Sequence, residues 1–201
     1  MTWASSIALG VSLVAVVLAD SAPAASDDCP SAQSGRQGFM LERSQRQKTE
    51  VHHHDDGIVS TVMRYDGQTL LETTQLFGLF DLDRLDRGRR AKFEPRSEVQ
   101  RLFPLKPGQS ASAKFSSEQA GQSGNLDVKI DVKNFEDLII GACTYRVLKI
   151  ERSESRSADP PRYVYTDYYS PDLKLVVAKE YRNPDGTTTL IKYDRIYPLK
   201  D

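Results

Sequence analysis

The chain is poor in cysteine and histidine and has no surplus of charge of either sign, and each scarcity removes a class of function. Its 27 Lys and Arg stand against 28 Asp and Glu. A nucleic-acid binder carries a clear basic excess, so no nucleic-acid partner is expected. The three histidines lie together at positions 52–54, and none flanks either of the two cysteines, Cys29 and Cys143, which argues against a catalytic thiol. Phosphate-loop and dinucleotide fingerprints are absent. The nearest approach to a nucleophile elbow, Gly121-Gln122-Ser123-Gly124, lacks a glycine at the required offset and sits in a Gly/Ser loop. Nothing argues for an enzyme, and no cofactor is implied.

Long hydrophobic runs are missing too, with one exception at the start. Residues 3–19 are all apolar or small, and residues 7–18 form a 12-residue apolar stretch. That is the length of a secretory h-region and short of the roughly 18–20 residues that cross a bilayer. Ala22-Pro23-Ala24 follows with the small-x-small spacing of a signal-peptidase site, although no Lys or Arg precedes the run. The expectation is a leader over residues 1–24, cleaved near Ala24-Ala25, and a periplasmic protein whose membrane contact is peripheral at most. Ser26-Asp27-Asp28 before Cys29 does not fit a lipobox, so lipidation is not expected.

Beyond the leader, Lys and Arg balance Asp and Glu at 27 each, because Asp20 is the only charge removed. About 177 residues suit one domain. We divide them into a polar arm over 25–37 and a single β domain over 38–201. In an oxidising compartment an even cysteine count favours a Cys29–Cys143 bridge, which would staple the arm to a core strand. Two free thiols or an intermolecular bond are the alternatives.

Strand signals run from residue 38 almost to the end. Residues 58–65 and 69–77 are rich in β-branched and aromatic side chains and flank Asp66-Gly67, a hairpin turn pair. Asp56-Gly57 makes a similar turn, so residues 47–77 read as a three-strand meander. Leu126, Val128, Ile130 and Val132 alternate with charged residues in a clean period of two. Residues 144–152 alternate more loosely. Strands over 162–170, 173–182 and 187–197 form a second meander, with turns at Ser170-Pro171-Asp172 and Asn183-Pro184-Asp185-Gly186. Two segments break the pattern. Leu79, Leu82 and Leu85 at spacing three, with Asp83/Arg87 and Asp86/Arg90 at spacing four, predict a short helical segment near 79–90. Residues 153–161 read as a surface loop. The sum is an all-β fold: a large curled antiparallel sheet, or an open or spiral β-barrel, of about nine strands.

Few clusters carry chemistry. His52 and His54 would share one face of a strand, and a nearby carboxylate could complete a metal site; no second ligand motif accompanies them. Residues 81–88 fail as a calcium loop at Leu85 and Asp86. Arg87, Arg89 and Arg90 belong to a basic stretch interleaved with acids. It is a solvated face by default and a contact for anionic lipid or a partner by exception. Tyr163, Tyr165 and Tyr169 share a strand face and Tyr181 lies on the next strand. They can pack as cross-strand pairs or line a ligand pocket.

Residues 103–109 (FPLKPGQ), 140–150 (IGACTYRVLKI) and 168–177 (YYSPDLKLVV) together resemble a group of bacterial periplasmic β proteins with a PL-x-x-G segment, a Gly turn into a strand, and an aromatic-Tyr-Ser-Pro strand before a Val-rich one. The resemblance spans about residues 100–197 and assigns no catalytic residue. It implies an open, curled antiparallel sheet, loosely similar to lipoprotein-carrier half-barrels and to spiral-barrel envelope-integrity proteins. The expected function is non-enzymatic: envelope maintenance by holding a lipid, an acylated peptide or a partner segment. An adaptor that binds another envelope protein by an edge strand or the Arg-rich segment, and a His52/His54 metal protein, are the alternatives.

Overall fold

A computed structural model describes residues 29–31, 33–34, 38–95, 99–119, 121–156 and 163–199. The leader with its cleavage site, most of the polar arm, Arg96 and residues 157–162 lie outside the described residues. Among the described residues thirteen strands form one antiparallel sheet, which bears out the curled all-β reading and corrects its count. They are β1 (Phe39–Arg43), β2 (Gln47–His53), β3 (Ile58–Tyr65), β4 (Gln68–Leu76), β5 (Phe80–Asp86), β6 (Arg89–Pro95), β7 (Ser110–Gln119), β8 (Gln122–Ile140), β9 (Cys143–Arg156), β10 (Tyr163–Ser170), β11 (Leu175–Arg182), β12 (Thr188–Lys192) and β13 (Arg195–Pro198). In space the order is β12-β11-β10-β9-β8-β7-β6-β5-β4-β3-β2-β1-β13.

Four strands account for the difference from nine. The helical segment near 79–90 is instead the β5–β6 hairpin. Its turn is Arg87-Gly88, both at positive φ (48° and 79°), the conformation of the Asp66-Gly67 turn (49° and 79°). Arginine is a poor advertisement for that geometry, whereas Asp-Gly signals it openly. The expected helical ion pairs are replaced by strand pairs: Arg90 grips Asp83, and Arg84 reaches Asp86 at 3.0 Å. Strand β7, with four serines among its ten residues, adds to the expected set. The span 187–197 divides into β12 and β13, and β9 continues to Arg156, so residues 153–156 are strand rather than loop.

The sheet must curl strongly, and its connectivity proves it. Strands β12 and β13 end opposite edges, which a flat sheet would hold about 58 Å apart at about 4.8 Å per strand. Yet only Tyr193 and Asp194 link them, a reach of roughly 10 Å. The two edges therefore come round to nearly meet without pairing to each other.

Two cores lie on opposite faces of the shared wall β8–β11. The first gathers Phe39, Leu41, Val51, Val59, Leu138, Ile140, Tyr145, Val147, Tyr168, Val177 and Ile196; the second gathers Leu76, Phe80, Phe115, Val128, Ile130, Val132, Leu148, Ile150 and Tyr169. A bulge in β8 makes this possible. Val132 pairs with Ile150 and Phe135 with Leu148, so β8 advances three residues while β9 advances two. Even-numbered residues of β8 face the second core before the bulge and the first core after it. In β9 the buried parity switches at Val147 and Leu148, both fully buried, which is why its alternation reads loosely. The seam between the β4–β5 turn and the β10–β11 turn is tight. Gly78 has φ 66°, and a Cβ there would lie 1.9 Å from the Lys174 carbonyl oxygen, so only glycine fits.

Cys29 and Cys143 form a disulfide with Cα atoms 5.7 Å apart, and Cys29 packs against the first core.

Candidate functional site

Above the second core the curled sheet opens into a cavity of about 1280 Å³. One wall comes from β6–β8 (Phe93, Phe115, Leu126, Val128) and the other from β9–β11 (Arg152, Glu154, Arg156, Tyr163, Tyr165, Lys179, Tyr181). The register explains the second wall. Tyr165 pairs with Arg152 on one side and Tyr181 on the other, and Asp167 pairs with Ile150 and Lys179, so these side chains share one face. The floor is solid, since Phe80, Phe115, Leu148 and Ile150 are at most 2% exposed.

The floor also holds charge. Arg152, 7% exposed, donates to the Leu79 carbonyl at 2.6 Å and to Glu154 at 2.9 Å, and its guanidinium lies 5.2 Å from the Phe80 ring centroid. Fully buried Asp167 forms ion pairs with Lys179 at 2.9 Å and Arg152 at 3.7 Å, and its carboxylate oxygens accept no hydrogen bond among the described residues. Lys179 stands 4.4 Å over the Tyr165 ring, and the Tyr165 hydroxyl donates to Glu154 at 2.9 Å. Burial works to depress the Arg152 pKa, but Tyr165, Asp167 and Glu154 around it outweigh that and hold it above its usual value. Burial pushes the Tyr165 phenol well above its ordinary range, so it stays protonated. The cluster is charge-balanced and inward-looking, which suits a rigid floor better than proton transfer.

The mouth differs. Around the whole cavity, floor included, the lining has six Lys or Arg and four Asp or Glu, a modest positive bias in a chain whose total is close to neutral. Arg156 reaches Gln119 at 3.0 Å, and Arg182 is exposed at the rim. Tyr163 and Val164 are each 61% exposed and Tyr181 is 38% exposed, so aromatic and apolar surface lies beside those cations.

Of the tyrosines singled out in the sequence, Tyr163, Tyr165 and Tyr181 line this cavity, and the Tyr165 and Tyr181 rings lie 5.7 Å apart. Tyr169 is on the same strand face but lies deeper, 3% exposed in the second core and edge-on to Phe103 at 6.4 Å. Sequence reasoning passed over Arg152, Glu154, Asp167 and Lys179. The available signal was Arg152, a charged residue at a buried parity between Ile150 and Glu154.

The histidines lie elsewhere. His52 pairs with Glu50 at 2.7 Å and His54 with Ser60 at 2.8 Å, and no group of three or more His, Cys, Asp or Glu that could hold a metal is found among the described residues. His53 points inward instead. Its ring meets Phe39 edge-on at 5.3 Å, and its Nε2 is buried without a hydrogen-bond partner. Burial lowers its pKa below 6.5; nearby Lys174 adds to this, while the Leu173 carbonyl opposes it. The unfolded chain then binds the proton more readily than the folded one. Stability from this residue is complete above pH of about 6.5 and is lost as the pH falls from there through the lower native value. Urea midpoints of wild type and His53→Phe should therefore diverge below that pH, with the wild type losing more; parallel curves would refute this. Arg87 and Arg89 are exposed at the β5–β6 hairpin, while Arg90 is engaged with Asp83.

No family model matches the chain, and no curated protein matches it. Among solved structures, the hypothetical lipoprotein YmcC from Escherichia coli K12 is similar at 14% identity, over 80% of this chain and 89% of that one, with a TM-score of 0.46. A protein from Bacteroides fragilis NCTC 9343, described as exported and as having a YmcC-like fold, is similar at 10% identity, over 79% of this chain and 92% of that one, with a TM-score of 0.43. At this distance the likeness carries nothing about ligand or partner.

Proposed function

We propose that this is a non-enzymatic, exported binding protein that holds an acidic segment, either a stretch of a partner protein or the polar end of an acylated ligand, across the mouth of the cavity over the second core. The observation that carries this reading is the pairing of exposed Tyr163 and Tyr181 with the cations Arg156 and Arg182 around one opening of about 1280 Å³. Pockets of this kind bind through apolar area and take orientation from a few charges. The filled floor favours a ligand laid across the mouth over an acyl chain swallowed by a hollow barrel. The Cys29–Cys143 bridge supports an oxidising compartment. Self-neutralised floor charges support binding rather than catalysis.

The double variant Arg156→Glu with Arg182→Glu reverses charge at the rim without touching the floor. Native mass spectrometry of protein taken from the envelope should show an anionic species on the wild type and at least tenfold less on the variant. Equal occupancy on both, or none on either, would remove this proposal.

A further inference from the structure

Strand β12 closes one end of the hydrogen-bond order, so among the described residues one of its sides has no partner strand. Which groups face outward follows from the hairpin. The Asn183 N–H donates to the Thr187 carbonyl at 2.8 Å, which makes that pair a hydrogen-bonded one. Bonded and non-bonded pairs alternate along an antiparallel ladder. The pairs Tyr181↔Thr189 and Lys179↔Ile191 are then bonded, and the N–H and C=O of Thr188, Leu190 and Lys192 point away from β11.

This edge carries few of the usual protections. It has no proline and no bulge, and four of its five residues are β-branched or apolar. Lys192, its single charge, is turned to the Ile139 carbonyl at 2.9 Å. Leu190 is 44% exposed. The opposite edge is protected by contrast: β13 is four residues long, ends in Pro198 and buries Ile196.

We propose that β12 is a self-association edge, and that two copies of this chain pair there antiparallel about a dyad through Leu190. An added extended strand pairs with the whole outward row of N–H and C=O groups at once. The strand is also complementary to itself. About that dyad Leu190 meets Leu190 of the second copy, Thr189 meets Ile191, and Thr188 meets Lys192, so no like charges are opposed and the central pair is apolar on both sides. On the cavity-side face, the row Tyr165–Tyr181–Thr189 continues into Ile191 and Lys179 of the second copy, which joins the two cavity walls in one sheet. A five-residue ladder buries less than the roughly 1,000 Å² of a stable interface, so the dimer is a weak one that forms as concentration rises.

Sedimentation velocity from micromolar to near-millimolar protein tests this. The wild type should pass from monomer to dimer. Leu190→Pro deletes an N–H that the chain's own ladder does not use, at an edge where proline is tolerated; it should weaken association at least tenfold while leaving the circular dichroism unchanged. Leu190→Lys and Leu190→Glu should each be monomeric alone and pair when mixed, and this arm decides the matter even if the proline variant folds poorly. A wild type that stays monomeric throughout, or a dimer that survives all three substitutions, would overturn the proposal.

Discussion

Replacing Cys29 and Cys143 together by serine is expected to lower the unfolding free energy by about 4–5 kcal/mol, the chain-entropy value for a closed loop of this size. The bridge spans 114 positions and joins the start of the described chain to the first residue of β9. Without it, that end gains its freedom in the unfolded ensemble, and Cys143, 8% exposed, loses a covalent neighbour in the first core. Domains of this size hold only about 5–15 kcal/mol in all, so the loss is a large share. Urea unfolding of the oxidised protein and the double variant measures it, and reduction of the wild type should reproduce the shift. Midpoints that coincide would show that the arm is held by packing alone.

Arg152→Ala should cost about 3–5 kcal/mol, the penalty for stripping one partner from a buried ionic cluster. Arg152 is paired with Glu154 and Asp167 and bonded to the Leu79 carbonyl, with 7% of its surface exposed. Its removal leaves Asp167, at 0% exposure, with Lys179 as its remaining ion-pair partner, and leaves a buried carbonyl unsatisfied. Apolar replacement of both charges removes the stranded carboxylate. Arg152→Met combined with Asp167→Leu should therefore cost markedly less than the two single changes added together. A double-mutant cycle from denaturant titrations tests this. A single-variant cost below about 1 kcal/mol would mean that water already reaches the cluster.

How far the fold was legible depended on whether each signal was local. The meander β2–β3–β4 was readable because Asp66-Gly67 announces a turn that few other residues accept, while Arg87-Gly88 adopts the same turn without announcing it. Leucines at spacing three then imitated a helix: Leu79 belongs to a turn, Leu82 sits at a bulge in β5, and Leu85 lies on the strand beyond it. The clean alternation of β8 showed a dry face correctly up to Val132. The bulge beyond it reversed the parity, and the polar pair Lys133-Asn134 gave no sign of that. In the candidate site the tyrosines were visible as aromatics in a strand, whereas the charged floor was not. Its bond from Arg152 to Leu79 crosses 73 positions of chain.

By itself the sequence determined that this is an antiparallel β protein, where four of its hairpins turn, and which cysteines are available to bridge. Tertiary structure alone decided that one sheet serves two cores on opposite faces, that the inner wall of the second carries a neutralised ionic cluster, and that β12 ends the sheet unguarded. The reason is physical. A period of two records that a strand has a dry face, but which distant strand covers that face is set by the twist and bulges of the whole sheet.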